Sequence, residues 1–329
     1  MSCTFEVKRQ NQQLIRDVLR SGEIYTKADI GRETGLSLAT CGTILNEMLK
    51  EKEILEVPRQ RASGGRPAAC YCYNKDYYRM IGIYADNGNE CGHLGYVVYN
   101  ALSEVIEEGR EDVREVNTEA MLRRLDLLME TYEGVRGISV GIPGIVSEGQ
   151  IKTCDINTLE LVGLEEMIRE RYQVYVRVEN DMNYITFGAY DRQESKEDMT
   201  VIYLPQNHYA GCGSIVNGEL LYGARQMAGE ISYLYRAEGV KRPGVEGSVE
   251  TSDFLAKIII YLTAFLDPSK ILLISHDPEK VPWKEAAARC KEILGTDGMP
   301  EIEMSAEFYE NYIHGLAALT LHEQRYRQK

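Results

Sequence analysis

Val174-Tyr175-Val176-Arg177-Val178-Glu179-Asn180-Asp181-Met182-Asn183 is the stretch on which the fold turns. Val174–Val178 is rich in β-branched residues and reads as a strand. It runs through Glu179-Asn180-Asp181-Met182-Asn183 into a helix, so carboxylates and amides meet at a strand-to-helix junction. Upstream, Val135–Ile142 is a second strand, ending in Gly141-Ile142-Pro143-Gly144. Before it lie strand candidates at Met80–Tyr84, Tyr96–Tyr99 and Leu102–Glu107. A helix over Asn117–Tyr132 places Met121, Leu122, Leu125, Leu128 and Met129 at helical spacing, and Leu164–Arg171 also reads as helical. Three strands followed by alternating helix and strand predict a mixed sheet covered by helices.

Downstream the order restarts. Thr200–Leu204, Gly213–Val216 and Leu220–Leu221 read as strands, and Ser252–Phe265 as a long apolar helix. Ile271–Ile274 and Ile302–Met304 are further strands, and Phe308–Leu321 is a closing helix. Two βββαβα-like halves predict a duplicated α/β fold with a cleft between two lobes. No residue-level repeat accompanies it.

Upstream of Arg79 the pattern is different. Leu14, Ile15, Val18 and Leu19 mark an amphipathic helix over roughly Lys8–Arg20, stopped by Ser21-Gly22. Thr26 and Asp29 form a capping box with Asp in place of Glu, opening a short helix over Lys27–Thr34 that Gly35 ends. Ser37 caps a third helix with an apolar stripe of Ile44, Leu45, Met48 and Leu49. This is a helix-turn-helix pattern, and the outward positions Ser37, Ala39, Thr40, Thr43 and Asn46 suit close approach to base edges. No Arg is present on that helix for bidentate contact to guanine. Glu53–Val57 and Ala69–Tyr73 then read as strands flanking a tip with Arg59, Arg61 and Arg66 around Gly64-Gly65, a basic wing able to reach phosphates. A solvated interdomain loop is the plainer alternative. Domains are therefore expected at 1–75 (DNA-binding) and 76–329.

Charge supports that division. The chain of 329 residues carries a net charge of −14. Residues 1–75 hold 12 Lys/Arg against 9 Asp/Glu, a surplus of +3, and residues 76–329 hold 25 against 42, or −17. An acidic body repels DNA and a mildly basic head tolerates it. With 44% hydrophobic residues and no apolar run long enough to span a bilayer, the composition is globular. The first residues lack a secretory h-region, and the eight Cys (3, 41, 70, 72, 91, 154, 212 and 290) form no CxxC pair, so a cytoplasmic chain with reduced thiols is expected. Cys70 and Cys72 share a strand face without further ligands nearby, which favours buried thiols over metal.

Taken in order, these segments resemble the ROK family of repressors and sugar kinases. The resemblance lies in Ser63-Gly64-Gly65-Arg66-Pro67, Gly141-Ile142-Pro143-Gly144, Glu179-Asn180-Asp181-Met182-Asn183, Gly211-Cys212-Gly213-Ser214-Ile215-Val216-Asn217-Gly218 and Ala228-Gly229-Glu230. It implies a winged helix followed by a duplicated actin-like ATPase (ribonuclease H-like) domain, a sugar in the interlobe cleft, and a homodimer or homotetramer. It also implies ligand contacts from Gly144, Asn180, Asp181, Glu230, Tyr233 and Glu250. Asp181 and Asn183 equally suit a helix start.

The departures from the family pattern decide the expected activity. Tyr84 stands where family kinases carry the Asp of D-x-G-G-T, and the Gly-Gly pair is missing. Asn207-His208-Tyr209-Ala210-Gly211 replaces a second glycine-rich phosphate loop. Backbone N–H groups approach phosphate closely only without side chains in the way, so ATP binding is not expected. Tyr233 replaces a His ligand and Ser248 a Cys ligand, so neither zinc nor any other cofactor is expected. Tyr233 would stack on a sugar or fill space. The expected function is a DNA-binding repressor that uses Ser37, Thr40, Thr43, Asn46, Arg61 and Arg66 on double-stranded operator DNA and responds to a sugar or sugar phosphate. A ROK sugar kinase with a fused head, or a regulator controlled by a partner protein, are the alternatives.

Overall fold

A computed structural model describes residues 2–58, 69–87, 92–206, 208–241 and 252–327. The chain divides into two compact units. One comprises Met1–Met80, Val98–Glu107 and Met129–Arg136, and the other Ile81–Val97, Glu108–Leu128 and Gly137–Lys329.

The first unit opens with α1 (Ser2–Leu19), β1 (Tyr25–Thr26), α2 (Lys27–Thr34), α3 (Leu38–Lys50), β2 (Ile54–Val57) and β3 (Cys70–Tyr73). β3 lies between β1 and β2 and is antiparallel to both. Ile15, Leu19, Ile30, Ile44, Leu45 and Met48 are buried, so the helical stripes read from the sequence meet in one core. The caps form as read. Asp29 N–H donates to Thr26 Oγ1 at 3.2 Å and Thr26 N–H to Asp29 Oδ2 at 3.1 Å. Gly35 takes φ 70°, and Thr40 N–H donates to Ser37 Oγ at 3.1 Å. α1 starts at Ser2, ahead of the expected Lys8. Glu53 is buried and accepts from Arg16 Nη2 at 3.0 Å and Tyr73 OH at 3.0 Å, which satisfies the charge.

Two five-stranded sheets follow. β4 (Arg79–Asn87), β5 (Gly92–Asn100), β6 (Val105–Val113), α4 (Thr118–Thr131) and β7 (Val135–Ile142) lead to a hairpin of β8 (Gly144–Ser147) and β9 (Gln150–Cys154). Then come α5 (Leu164–Tyr172), β10 (Tyr175–Asn180) and α6 (Asp181–Asp191), and the sheet order is β10-β7-β4-β5-β6. The second half holds β11 (Met199–Tyr203), β12 (Gly211–Val216), β13 (Glu219–Leu220), α7 (Ser232–Ala237), α8 (Ser252–Leu266), β14 (Lys270–Ile274), α9 (Trp283–Leu294), β15 (Glu301–Ser305) and α10 (Phe308–Arg327). Its order is β13-β12-β11-β14-β15, so strand for strand it repeats the first sheet. The duplication is written in topology, where the sequence shows no repeat.

The helices that end each half, α6 and α10, pack backbone against backbone at two glycines. A Cβ on Gly188 would stand 1.9 Å from Asn311 O, and one on Gly315 1.8 Å from Tyr184 O. The two-residue β1, the helices α7 and α9, and the β8–β9 hairpin escape the sequence reading. The hairpin turns on Glu148 (φ 54°) and Gly149 (φ 73°), a two-residue turn with Glu where Asn or Asp usually advertises it. The described cysteines Cys41, Cys70, Cys72, Cys154, Cys212 and Cys290 are free thiols, with all but Cys72 buried. Among the described residues no helix is long and apolar enough to cross a membrane.

Candidate functional site

Asn180 ends β10 and caps α6. Its Oδ1 accepts from Met182 N–H at 2.7 Å, and its Nδ2 donates to Gly144 O at 2.8 Å. The fold thus brings Asn180 and Gly144 together, but it commits the amide to the scaffold at both ends. Gly144 has its own reason to be glycine, because a Cβ there would lie 2.2 Å from Thr153 O across the hairpin. Beneath the cap, buried Glu179 accepts from Asn180 N–H at 2.8 Å and from Asn183 Nδ2 at 3.0 Å, and it pairs with Arg177.

Asp181 is the first residue of α6. Its carboxyl is raised to about 7: burial pushes it up most, Met182 N–H pulls against that, and the charges of Asp155 and Glu230 add to the rise. Glu230 is raised too, by burial and then by Asp155. Three carboxylates therefore share one field. Asp155 was not among the sequence candidates, because it follows the hairpin that the sequence hides. Burial also pushes the neighbouring Cys154 thiol up to about 11, which keeps it unreactive.

Glycines set the position of Glu230. Gly229, at φ 86°, would place a Cβ 2.2 Å from Cys212 O. Gly211 lies against Met182 and Gly213 against Thr186, so β12 packs directly on α6. The Gly211–Gly218 and Ala228–Glu230 segments and the start of α6 therefore form one close-packed assembly, and their glycines mark backbone approach. A carboxyl that titrates near neutrality can donate or accept a hydrogen bond to a hydroxyl.

Other expected residues fare differently. Tyr233 is 49% exposed on α7, with the Arg236 guanidinium 5.6 Å from its ring centroid, so it does not fill buried space. Glu250 and Ser248 lie outside the described residues, as do Arg59, Arg61, Arg66 and Asn207. Tyr84 is buried against Gly95, donates to Tyr309 OH at 3.4 Å, and lies 5.3 Å from the Tyr312 ring. Tyr209 packs 5.1 Å from Tyr235. Among the described residues no group of three His, Cys, Asp or Glu is placed to hold a metal ion.

On the first unit, Ser37, Ala39, Thr43 and Asn46 are exposed along α3, and Thr40 is half-buried. Thr43 Oγ1 donates to Ala39 O at 3.2 Å, and the Ser37 and Thr40 hydroxyls are 2.9 Å apart. Lys27 Nζ sits beside Gly42, which brings a cation to the same helix.

Residues 93–241 match the ROK family. A xylose repressor from Bacillus subtilis (strain 168) is 25% identical over 235 residues, 69% of this chain and 61% of that protein. The chain therefore spans less than two thirds of that relative's length. Among solved structures, a ROK family transcriptional regulator described as a homolog of E. coli MLC protein superposes with TM-score 0.67 at 16% identity, over 95% of this chain and 97% of that one. A ROK hexokinase from Thermus thermophilus superposes with TM-score 0.58 at 16% identity, over 76% of this chain and 99% of that one. At these identities the structures speak to fold alone, a mixed α/β architecture shared by regulators and sugar kinases.

Proposed function

We propose, from the premise that this chain carries a ROK family domain, that it is a DNA-binding transcriptional repressor whose body binds a sugar or sugar derivative. The observation that carries this reading is the close packing of Gly229 on Cys212 O and of Gly211 on Met182, which sets the Glu230 segment against the start of α6, where Asp155, Asp181 and Glu230 influence one another electrostatically. Clustered carboxyls, one of them titrating near neutrality, suit hydrogen bonding to several hydroxyls at once. The xylose repressor relative supports the regulatory half of the reading.

In this reading, residues 1–75 form a winged helix that binds operator DNA as part of a homodimer or homotetramer. α3 enters the major groove with Ser37, Thr40, Thr43 and Asn46 near base edges, and Arg61 and Arg66 reach phosphates from the wing. Gly144, Asp181, Glu230, Tyr233 and Glu250 form the effector site in a cleft of residues 76–329, and Asn180 holds its floor. An effector releases DNA only if it binds the released conformation better.

The kinase reading keeps one argument, because the raised Asp181 suits a proton acceptor in phosphoryl transfer. Against it stand Tyr84 and Tyr209, bulky rings at positions where family kinases bring backbone to phosphate. The test is a fluorescence-anisotropy titration of the protein on its own promoter DNA, with a sugar panel and with ATP and magnesium. Release of DNA by one sugar, with no ATP turnover, is the expected result. Sugar-dependent ATP hydrolysis would establish the kinase instead.

A further inference from the structure

A cavity lies beside the β8–β9 hairpin, and none of Asp155, Asp181 and Glu230 lines it. The β8–β9 register pairs Gly144 with Cys154 at one end and Ser147 with Gln150 at the other. The cleft residues adjoin the first end. The cavity is at the turn end, walled by Glu148, Glu165, Arg177, Glu179, Tyr222 and Gln226, and encloses about 420 Å³. That volume is within the range of small-molecule sites.

The wall chemistry narrows the ligand. Three carboxylates and one guanidinium line it, with Arg177 paired to Glu179 and Glu165 paired to Arg169 at 3.4 Å, which leaves Glu148 as the carboxylate in excess. The formal charge is negative, so phosphates and carboxylates are repelled. An apolar ligand would strip water from these polar groups without replacing its hydrogen bonds. A hydroxyl both donates to a carboxylate and accepts from Arg177 or the Gln226 amide. Tyr222 accepts from Arg177 Nη2 at 3.4 Å with that guanidinium 5.8 Å from its ring centroid, and its ring contributes aromatic surface to the wall that suits the C–H groups of a sugar.

We propose that this cavity is a second ligand site, for a neutral, hydroxyl-rich molecule of monosaccharide size, distinct from the effector cleft. It is wired to that cleft. Glu179 lines the cavity and also accepts the N–H of Asn180 and the amide of Asn183 at the start of α6. A ligand that competes for Glu179 loosens or tightens the turn that carries Asp181. The site is thus placed to modulate the effector response rather than duplicate it.

The experiment is isothermal titration calorimetry of the full chain with D-xylose, D-glucose, D-galactose and D-mannose, and with glucose 6-phosphate as the charged control. At least one neutral sugar is expected to show a binding component that Tyr222→Ala weakens about tenfold or more. Gln226→Ala, at a half-buried position on an otherwise exposed loop, should weaken the same component and guards against misfolding of the first variant. Asp181→Asn should leave it in place. The proposal is overturned if none of the four sugars binds, if the phosphate binds as tightly as its parent sugar, or if Tyr222→Ala and Gln226→Ala bind like the parent chain. Loss of all sugar binding in Asp181→Asn, with both cavity variants unaffected, would sink the cavity and leave the cleft standing. Loss in the cavity variants alone would do the reverse.

Discussion

At the scale of the residue, Asp181 is where electrostatics and function meet. Its carboxyl is pushed up to about 7 by burial and by Asp155 and Glu230, against an ordinary unfolded value of about 3.9. Between those values the folded chain holds a proton that the unfolded chain has released, so this group's contribution to stability falls as pH rises through the interval. Asp181→Asn removes the cost of the buried charge. The variant is expected to exceed the parent at pH 8 by on the order of 2 kcal/mol and to match it more closely near pH 4, measured as urea midpoints at the two values. An identical gap at both pH values would show that Asp181 ionises as an ordinary surface acid. Asn180 teaches the complementary lesson. Its residue type fits a ligand contact, and its amide is also bonded to Met182 N–H and Gly144 O, which fixes the strand-to-helix turn.

At the scale of the element, boundaries follow local chemistry that the sequence displays openly. Thr26 and Asp29 satisfy each other's backbone N–H groups at the start of α2. Thr26→Ala should cost about 1 kcal/mol in chemical denaturation, and a change below a few tenths would mean the box contributes nothing. The α6–α10 crossing obeys a different rule, because Gly188 and Gly315 are the only side chain small enough for backbone to lie on backbone. Gly315→Ala forces a Cβ into Tyr184 O, so a loss of about 3 kcal/mol or failure to fold is expected, read as a drop in Tm. The residues of these elements were legible as helix and strand, but the reason for the glycines was not. Sequence spacing reports which face is apolar and says nothing of how closely two helices approach.

At the scale of the whole molecule, the two sheets repeat one strand order, and two units carry two kinds of surface. The head's exposed α3 and the body's coupled carboxylates are the surfaces on which the proposed function rests. If the 59–68 segment is the proposed basic wing, Arg66→Ala should weaken DNA binding across sequences and lower the slope of log K against log salt by about 1. Anisotropy titrations between low and moderate salt measure this, and an unchanged slope would remove Arg66 from the interface.

The helical head with its caps, the order of the sheet strands along the chain, and the glycine-bearing segments of the ROK resemblance are all legible in the residue order. Each rests on interactions within a few residues, such as Thr26 with Asp29, Ser37 with Thr40, and the apolar period of α3. Packing over longer range makes the two sheets copies of one order, couples Asp155 to Asp181 and Glu230, and bonds the Asn180 amide to Gly144 O. It alone brought Glu148, Arg177 and Tyr222 around one cavity. The physical reason is range. Caps and periodicity are read from neighbours, whereas desolvation, charge coupling and cavity walls depend on residues that the chain brings together from 26 to 78 positions apart, Asp155 to Asp181 and Glu148 to Gln226 among them.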